Sequence, residues 1–266
     1  RLVLLKRPKQ ALLLSPTFSE YEQALAIDGC QIRYYVLRAD QDYRVNVWEL
    51  AEHLAEGDWL FLCNPNNPTG LAVPGEQLEF LAEICQKKQG FLVVDECFCE
   101  FLDQPEKYTL MEQIRNYPEV ILLRAFTKSY AMAGLRLGYA ICGDTMLAKQ
   151  LCLTGQPWSV SVPAQEAGVA ALRENDYLEQ TRALVEKERK WMEQRLGKLG
   201  FWVFPSQVNY LLFRDEKNRY GNLKIRLREK GILIRDCSNF RGLEPVGNIS
   251  GFRYYRTAVR TREENE

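Results

Sequence analysis

The chain has 266 residues, with 35 Lys and Arg against 35 Asp and Glu, a single His and a hydrophobic share of 46%. A formal net charge of zero argues against a nucleic-acid or anionic-membrane partner. The eight cysteines are scattered, and with His53 the only histidine they argue against a zinc site; thiols at this density favour a reducing cytoplasm.

Up to about residue 145 the sequence alternates strand and helix signals. "ALLLSP" predicts a short buried strand and "TFSEYEQALAIDG" a helix closed by Gly29. "QIRYYVL" predicts a strand and "VWELAEHLAE" a helix. "WLFLCNP" is a strand whose tip carries "NPNNPTG", and "PGEQLEFLAEICQKKQG" is a helix opened by Pro74 and followed by Gly90. "FLVVDEC" is an apolar strand ending in a carboxylate, "TLMEQIRNYP" a short helix, and "VILLRAF" and "RLGYAICG" two more strands. This order predicts an α/β fold with a mostly parallel sheet covered by helices. No apolar run reaches membrane-spanning length.

From Val162 the texture changes. "VPAQEAGVAALREN" and "YLEQTRALVEKERKWMEQRLGKLG" are helices, and the alternating charges of the second predict a solvated face. "FWVF", "NYLLF", the helix "NLKIRLREKG", "ILIRD" and "FRYYRTAV" then predict a smaller α+β domain. The expected division is residues 1–157 for the large domain and 158–266 for the small one. The chain starts at Arg1, and Thr261 and Glu264 form a capping-box pattern with no helix body after it; the expectation is a fragment of a longer protein.

Ligands of such sheets sit beyond the carboxyl ends of the strands. Asn67, Asp95 and Lys128 fall there on three different strands, and Arg136 follows in "AGLRLGY". Taken singly each has an ordinary account: Asp95 as a helix cap or core-paired carboxylate, Lys128 as an exposed amine, Arg136 as a surface ion pair. Together they fit pyridoxal phosphate, which needs a lysine for its aldehyde, a carboxylate for its ring nitrogen and a cation for its phosphate. A nucleotide-binding α/β domain is disfavoured, because neither a G-x-G-x-x-G after a strand nor a phosphate-loop lysine motif is present.

The motifs "PTFSEYEQAL", "NPNNPTG", "VVDECF", "FTKSYAMAGLRLGY" and "YYRTAVRTREEN", in this order, resemble the fold-type I, class I/II aminotransferases, specifically their histidinol-phosphate aminotransferase and threonine-phosphate decarboxylase branch. The resemblance spans Pro16 to Asn265 and implies pyridoxal 5'-phosphate as cofactor and a homodimer when full length. It implies Lys128 as the Schiff-base lysine, Asp95 at the ring nitrogen, Asn67 at the 3-oxygen, and Phe18 stacked on the ring. It also implies Thr127 and Arg136 at the phosphate, and Arg256 on the substrate carboxylate. Without the resemblance, Phe18 reads equally well as a core aromatic at a helix start and Arg256 as an outward strand residue. No metal is implied.

Four departures accompany it. The Gly-rich phosphate loop that usually precedes the first large-domain strand is absent, as is the amino-terminal arm. Phe98 replaces a tyrosine that bonds the 3-oxygen in many relatives, and Ala125 replaces a phosphate-binding serine, so that anchoring leans harder on Thr127, Arg136 and the missing loop. Phe98 and the segment "IRDCSNFRGL" resemble the decarboxylase branch, and Arg235 and Arg241 within it offer cations for a phosphorylated amino-acid substrate, or are solvated loop charges. The expected reaction is decarboxylation of L-threonine O-3-phosphate in cobalamin biosynthesis. The alternatives are transamination of the histidinol-phosphate type with 2-oxoglutarate, or a catalytically incomplete fragment.

Overall fold

The computed structural model describes residues 1–174, 176–216, 219–244 and 252–266. Asn175, the last residue of the helical run expected from Val162, lies outside them. The first part of the chain contains α1 (Leu2–Lys6), β1 (Gln10–Ser15), α2 (Glu20–Ala26), β2 (Gln31–Val36), α3 (Val47–Glu52), β3 (Trp59–Cys63) and α4 (Gly75–Lys87). It continues with β4 (Phe91–Asp95), β5 (Val120–Ala125), α5 (Phe126–Ser129), β6 (Gly138–Cys142) and α6 (Thr145–Leu153). The six strands form one sheet in the order β2-β1-β3-β4-β5-β6. Every neighbouring pair is parallel except β5 with β6.

Alternation along the central strands divides the core into two layers. Leu12, Leu14, Leu60, Leu62, Leu92, Val94, Val120 and Leu122 face α3 and α4. Ala11, Leu13, Phe61, Cys63, Val93 and Ile121 face α1, α2 and α6. Helix α4 meets its layer through Leu78, Leu81, Ala82 and Cys85, a spacing that keeps one stripe on the sheet. The turn after it takes its left-handed residue at Gln89, φ 52°. Gly90 is needed for another reason: a Cβ there would lie 2.4 Å from the carbonyl oxygen of Asp58. The short helix expected in "TLMEQIRNYP" is only a 3-10 turn, Ile114–Asn116, with Leu110 and Ile114 the buried apolar side chains of the stretch.

The remaining elements are α7 (Val162–Ala171), α8 (Tyr177–Lys198), β7 (Trp202–Val203), β8 (Tyr210–Asp215), α9 (Leu223–Arg228), β9 (Arg235–Asp236), β10 (Arg253–Ala258) and α10 (Arg262–Asn265). Their strands make an antiparallel sheet ordered β7-β8-β10-β9. One apolar cluster joins the two sheets, with Phe98, Phe101 and Leu102 after β4 packing on Val185, Met192, Val208 and Tyr210. Helix α8 departs from a wholly solvated charged face at Glu188, which is buried and accepts from Arg262 at 2.8 and 3.1 Å. Among the described residues no helix is long and apolar enough to cross a membrane.

Candidate active site

The chain runs outward from β1 to β2, returns to β3 on the other side of β1, and then proceeds to β4 and β5. That reversal opens a crevice at the carboxyl ends of the strands. The loops after β1 and β3 are tied across it: Thr17 donates to Asn66 Oδ1 at 2.8 Å, and Asn66 Nδ2 donates to the Pro16 carbonyl at 3.0 Å. Phe18, Asn67 and Lys128 follow β1, β3 and β5, and Asp95 is the last residue of β4, so four strand ends deliver them to one edge of the sheet.

Asp95 closes β4, paired in register with Cys63 and Leu123. Its Oδ2 accepts from the Tyr21 phenol at 2.6 Å and its Oδ1 from the Cys97 amide at 3.0 Å. Tyr21 was not among the residues expected at the site. Its signal was there in "PTFSEYEQAL": three positions beyond Phe18 at a helix start, it shares that residue's side, and the two rings stand edge to face at 5.6 Å. Burial, then the neighbouring Cys63 and Asp95, push the Tyr21 phenol well above its ordinary value. The Cys63 thiol, buried beside them, is pushed up to about 12, burial being the main cause.

Lys128 lies in α5, exposed, with its Nζ 5.7 Å from the Phe98 ring centroid, within reach of a cation–π attraction. Among the described residues its amine has neither a carboxylate partner nor a hydrogen bond, the Phe98 ring being its recorded contact. Phe98, itself buried, stands edge to face with Tyr210 at 5.0 Å. Thr127 is half-buried one residue before the lysine, and Arg136 is exposed in the left-handed region at φ 57°. Among the described residues the Arg136 guanidinium hydrogen-bonds only the Ala133 carbonyl, at 3.2 Å, and has no carboxylate partner.

Asn67 and Arg256 are brought together directly. Arg256 Nη1 donates to Asn67 Oδ1, and its guanidinium lies 5.0 Å from the Tyr210 ring centroid. Arg235 is the register partner of Arg256 on neighbouring antiparallel strands, which puts both side chains on one face. Their charges both pull on the Cys237 thiol, which burial nevertheless holds up at about 12. Arg235 also bonds Asn239 at 2.8 Å. Arg241 is placed otherwise: its guanidinium pairs with Glu22 at 3.0 Å and lies 4.1 Å from the Tyr34 ring centroid. It borders a cavity of about 300 Å³ together with Phe18, Glu22, Asn239 and Phe240. Its charge is engaged by Glu22 and the Tyr34 ring.

A family model described as aminotransferase class I and II matches residues 2–253. The chain belongs to the class I and II aminotransferase family. Its members are pyridoxal-phosphate-dependent enzymes. This aminotransferase-family chain is 35% identical over 266 residues to the threonine-phosphate decarboxylase of Salmonella typhimurium, the match covering 98% of the chain and 69% of the relative. It is 32% identical over 265 residues to the histidinol-phosphate aminotransferase of Methanosarcina mazei, covering 99% and 67%. The crystal structure of the histidinol-phosphate aminotransferase from Clostridium acetobutylicum superposes with a TM-score of 0.86 at 26% identity, covering 99% of this chain and 77% of that one.

The donor set suits the family's cofactor. An amine without an ionic partner, a carboxylate at a neighbouring strand tip and an uncommitted guanidinium match an aldehyde, a ring nitrogen and a phosphate in kind. Asn67 and Phe18 fit with adjustment: Asn67 Oδ1 is occupied by Arg256, leaving its amide as donor, and Phe18 is 37% exposed. No group of three or more metal-ligating side chains occurs among the described residues.

Proposed function

We propose that the protein binds pyridoxal 5'-phosphate through Lys128 and decarboxylates an amino acid bearing a second anionic group, L-threonine O-3-phosphate in cobalamin biosynthesis. The observation that carries the reading is the placement of Asp95 at the tip of β4 and of Lys128, an amine without a carboxylate partner among the described residues, just beyond the end of the neighbouring β5. When bound, the cofactor supplies an aldehyde for the substrate amine and a ring that takes up electrons from Cα. Asp95 holds a proton at the ring nitrogen, its geometry fixed by Tyr21 and Cys97. Lys128 then returns a proton to Cα. Thr127 and Arg136 hold the cofactor phosphate, and Asn67 donates to the 3-oxygen. Phe18 covers the ring.

Arg256 binds the substrate carboxylate, and Arg235, level with it on the next strand, binds the second anion. Arg241, paired with Glu22, supports the loop that carries it. Two guanidiniums on one face would hold the two anionic groups of the substrate and so fix its orientation in the site. The exposure of Lys128 and Arg136 supports closure of the site by a second copy in a homodimer. Eight free cysteines, five of them buried, support a cytoplasmic location.

The overall likeness to a histidinol-phosphate aminotransferase structure favours a second reading, transamination of a phosphorylated amino substrate. Incubation with cofactor and L-threonine O-3-phosphate separates the two. Carbon dioxide release that Lys128→Ala abolishes supports decarboxylation; pyridoxamine phosphate without carbon dioxide replaces it by transamination. If borohydride reduction leaves no pyridoxyl label on Lys128, both readings fall.

A further inference from the structure

The guanidinium of Arg124 is the most heavily engaged buried cation near the site, and the chemistry above makes no use of it. Arg124 interrupts the apolar strand β5, two residues before α5 begins with Phe126 and Thr127, and its side chain is only 10% exposed. A buried charge in an apolar strand requires partners, and each of its three nitrogens has one. Nε donates to Glu96 Oε2 at 2.8 Å, Nη1 to Glu100 Oε1 at 3.0 Å, and Nη2 to Thr109 Oγ1 at 3.3 Å. Burial pulls the guanidinium's proton affinity down, but Glu96, Cys99 and Glu100 more than offset it.

The three partners belong to one stretch of chain. Glu96 follows Asp95 directly, Glu100 lies in the 3-10 turn Cys99–Phe101, and Thr109 ends the turn Pro105–Tyr108. Between Glu96 and Glu100 sits Phe98, whose ring faces Lys128. The fork therefore clamps the segment after β4, with Asp95 at its root and Phe98 at its centre, onto the strand that leads into Lys128. Among the described residues, backbone bonds from β5 reach only the base of this segment, where the Glu96 amide donates to the Leu123 carbonyl at 2.8 Å. Glu96 is itself buried, with Oε1 unpaired.

The geometry points to Arg124 as a positioning residue that sets the Lys128 amine against Phe98 and Asp95. It touches neither cofactor nor substrate and acts through the two segments it joins. A lysine at this position keeps the charge but cannot fork three ways, so Arg124→Lys isolates the geometry from the electrostatics. The inference rests on Lys128 as the cofactor-linking lysine, and one arm of its test does without that reading.

In the cofactor-free arm, hydrogen exchange is compared between the wild-type chain and Arg124→Lys. The expected result is a joint loss of protection in residues 96–101 and 126–129, at least tenfold in exchange rate, with β1 and β3 unchanged. In the loaded arm, both proteins are incubated with pyridoxal phosphate, reduced with borohydride, and the pyridoxyl label on Lys128 is quantified. The expected result is a labelling rate at least tenfold lower in Arg124→Lys, with a melting temperature within a few degrees of wild type. Unchanged exchange in the two segments overturns the proposal, as does wild-type labelling of Lys128. Should the wild-type chain label no lysine, the cofactor reading fails, and the exchange arm alone decides for or against the clamp.

Discussion

The phenol of Tyr21 donates a 2.6 Å hydrogen bond to Oδ2 of Asp95, linking the first turn of α2 to the tip of β4. Hydrogen bonds to charged groups contribute about 1.5–3 kcal/mol. Tyr21→Phe removes the donor and leaves the ring packed on Phe61, 5.8 Å between centroids. Affinity for pyridoxal phosphate is expected to fall by about tenfold, since part of that energy orients Asp95 for the ring nitrogen. Equilibrium titration of cofactor absorbance measures it, and an unchanged dissociation constant would detach Tyr21 from the site.

The same phenol sets an alkaline limit. An unfolded tyrosine ionises near about 10, and Tyr21 in the folded chain ionises well above that. Its contribution to stability is complete below the unfolded value and is lost as pH rises toward the folded one. Urea midpoints taken at about pH 9 and about pH 11 should drop further in wild type than in Tyr21→Phe. Equal drops would mean that the phenol titrates alike in both states.

Glu188 sets an acid limit by the opposite sign. The Arg262 hydrogen bond, more than offsetting desolvation, holds its carboxyl below the usual glutamate range. The stability it supplies is present above the unfolded value of about 4.3 and is lost as pH falls through the folded one. Arg262→Met should flatten the acid limb of a pH–stability curve and loosen α10, read by circular dichroism melts between about pH 3 and pH 6. A limb as steep as wild type would remove the pair from any stabilising role.

Gly70, in "NPNNPTG", has φ +81°, and a Cβ there would stand 2.4 Å from Ser206 Oγ. That hydroxyl already bonds the Tyr210 carbonyl at 2.7 Å. Gly70→Ala is expected to cost about 1–2 kcal/mol from the left-handed backbone alone, with more from displacing Ser206. Denaturant unfolding measures the loss, and because Tyr210 also bonds the Asn66 carbonyl at 2.9 Å, cofactor affinity should fall with it.

The parts of the molecule most readable in its sequence were those governed by periodicity. Runs such as "ALLLS", "WLFLC" and "FLVVD" are apolar on both faces, so their strands and their parallel order could be anticipated. Helix α1 was hidden because Lys6 to Gln10 obscure an amphipathic turn with one buried residue, Val3. Helix α6 was hidden too, although Asp144 caps it by accepting from the Met146 amide. At the site, residues that mark themselves by type and place, Asp95 and Lys128 above all, were visible. Those defined by a partner were not. Tyr21 matters through Asp95, Arg124 through Glu96 and Glu100, and the Asn67–Arg256 contact joins residues 189 apart in sequence. For Arg241 too the partners come from the fold, since only the folded chain sets Glu22 and Tyr34 beside it.

The reversal of direction between β5 and β6 has a consequence for how the site could be altered. Because Ala125 pairs with Gly138 and the Phe126 amide bonds the Leu137 carbonyl at 3.1 Å, everything from Phe126 to Leu137 is a single closed loop. Lys128 and Arg136 stand near its two feet, so the spacing between amine and guanidinium is measured off by one ruler anchored at both ends. A residue inserted in β6 would turn its side chains to the opposite face, whereas one inserted midway, near Ala131, can be absorbed as slack. Length variation that keeps the site intact should therefore be confined to the crown of that loop.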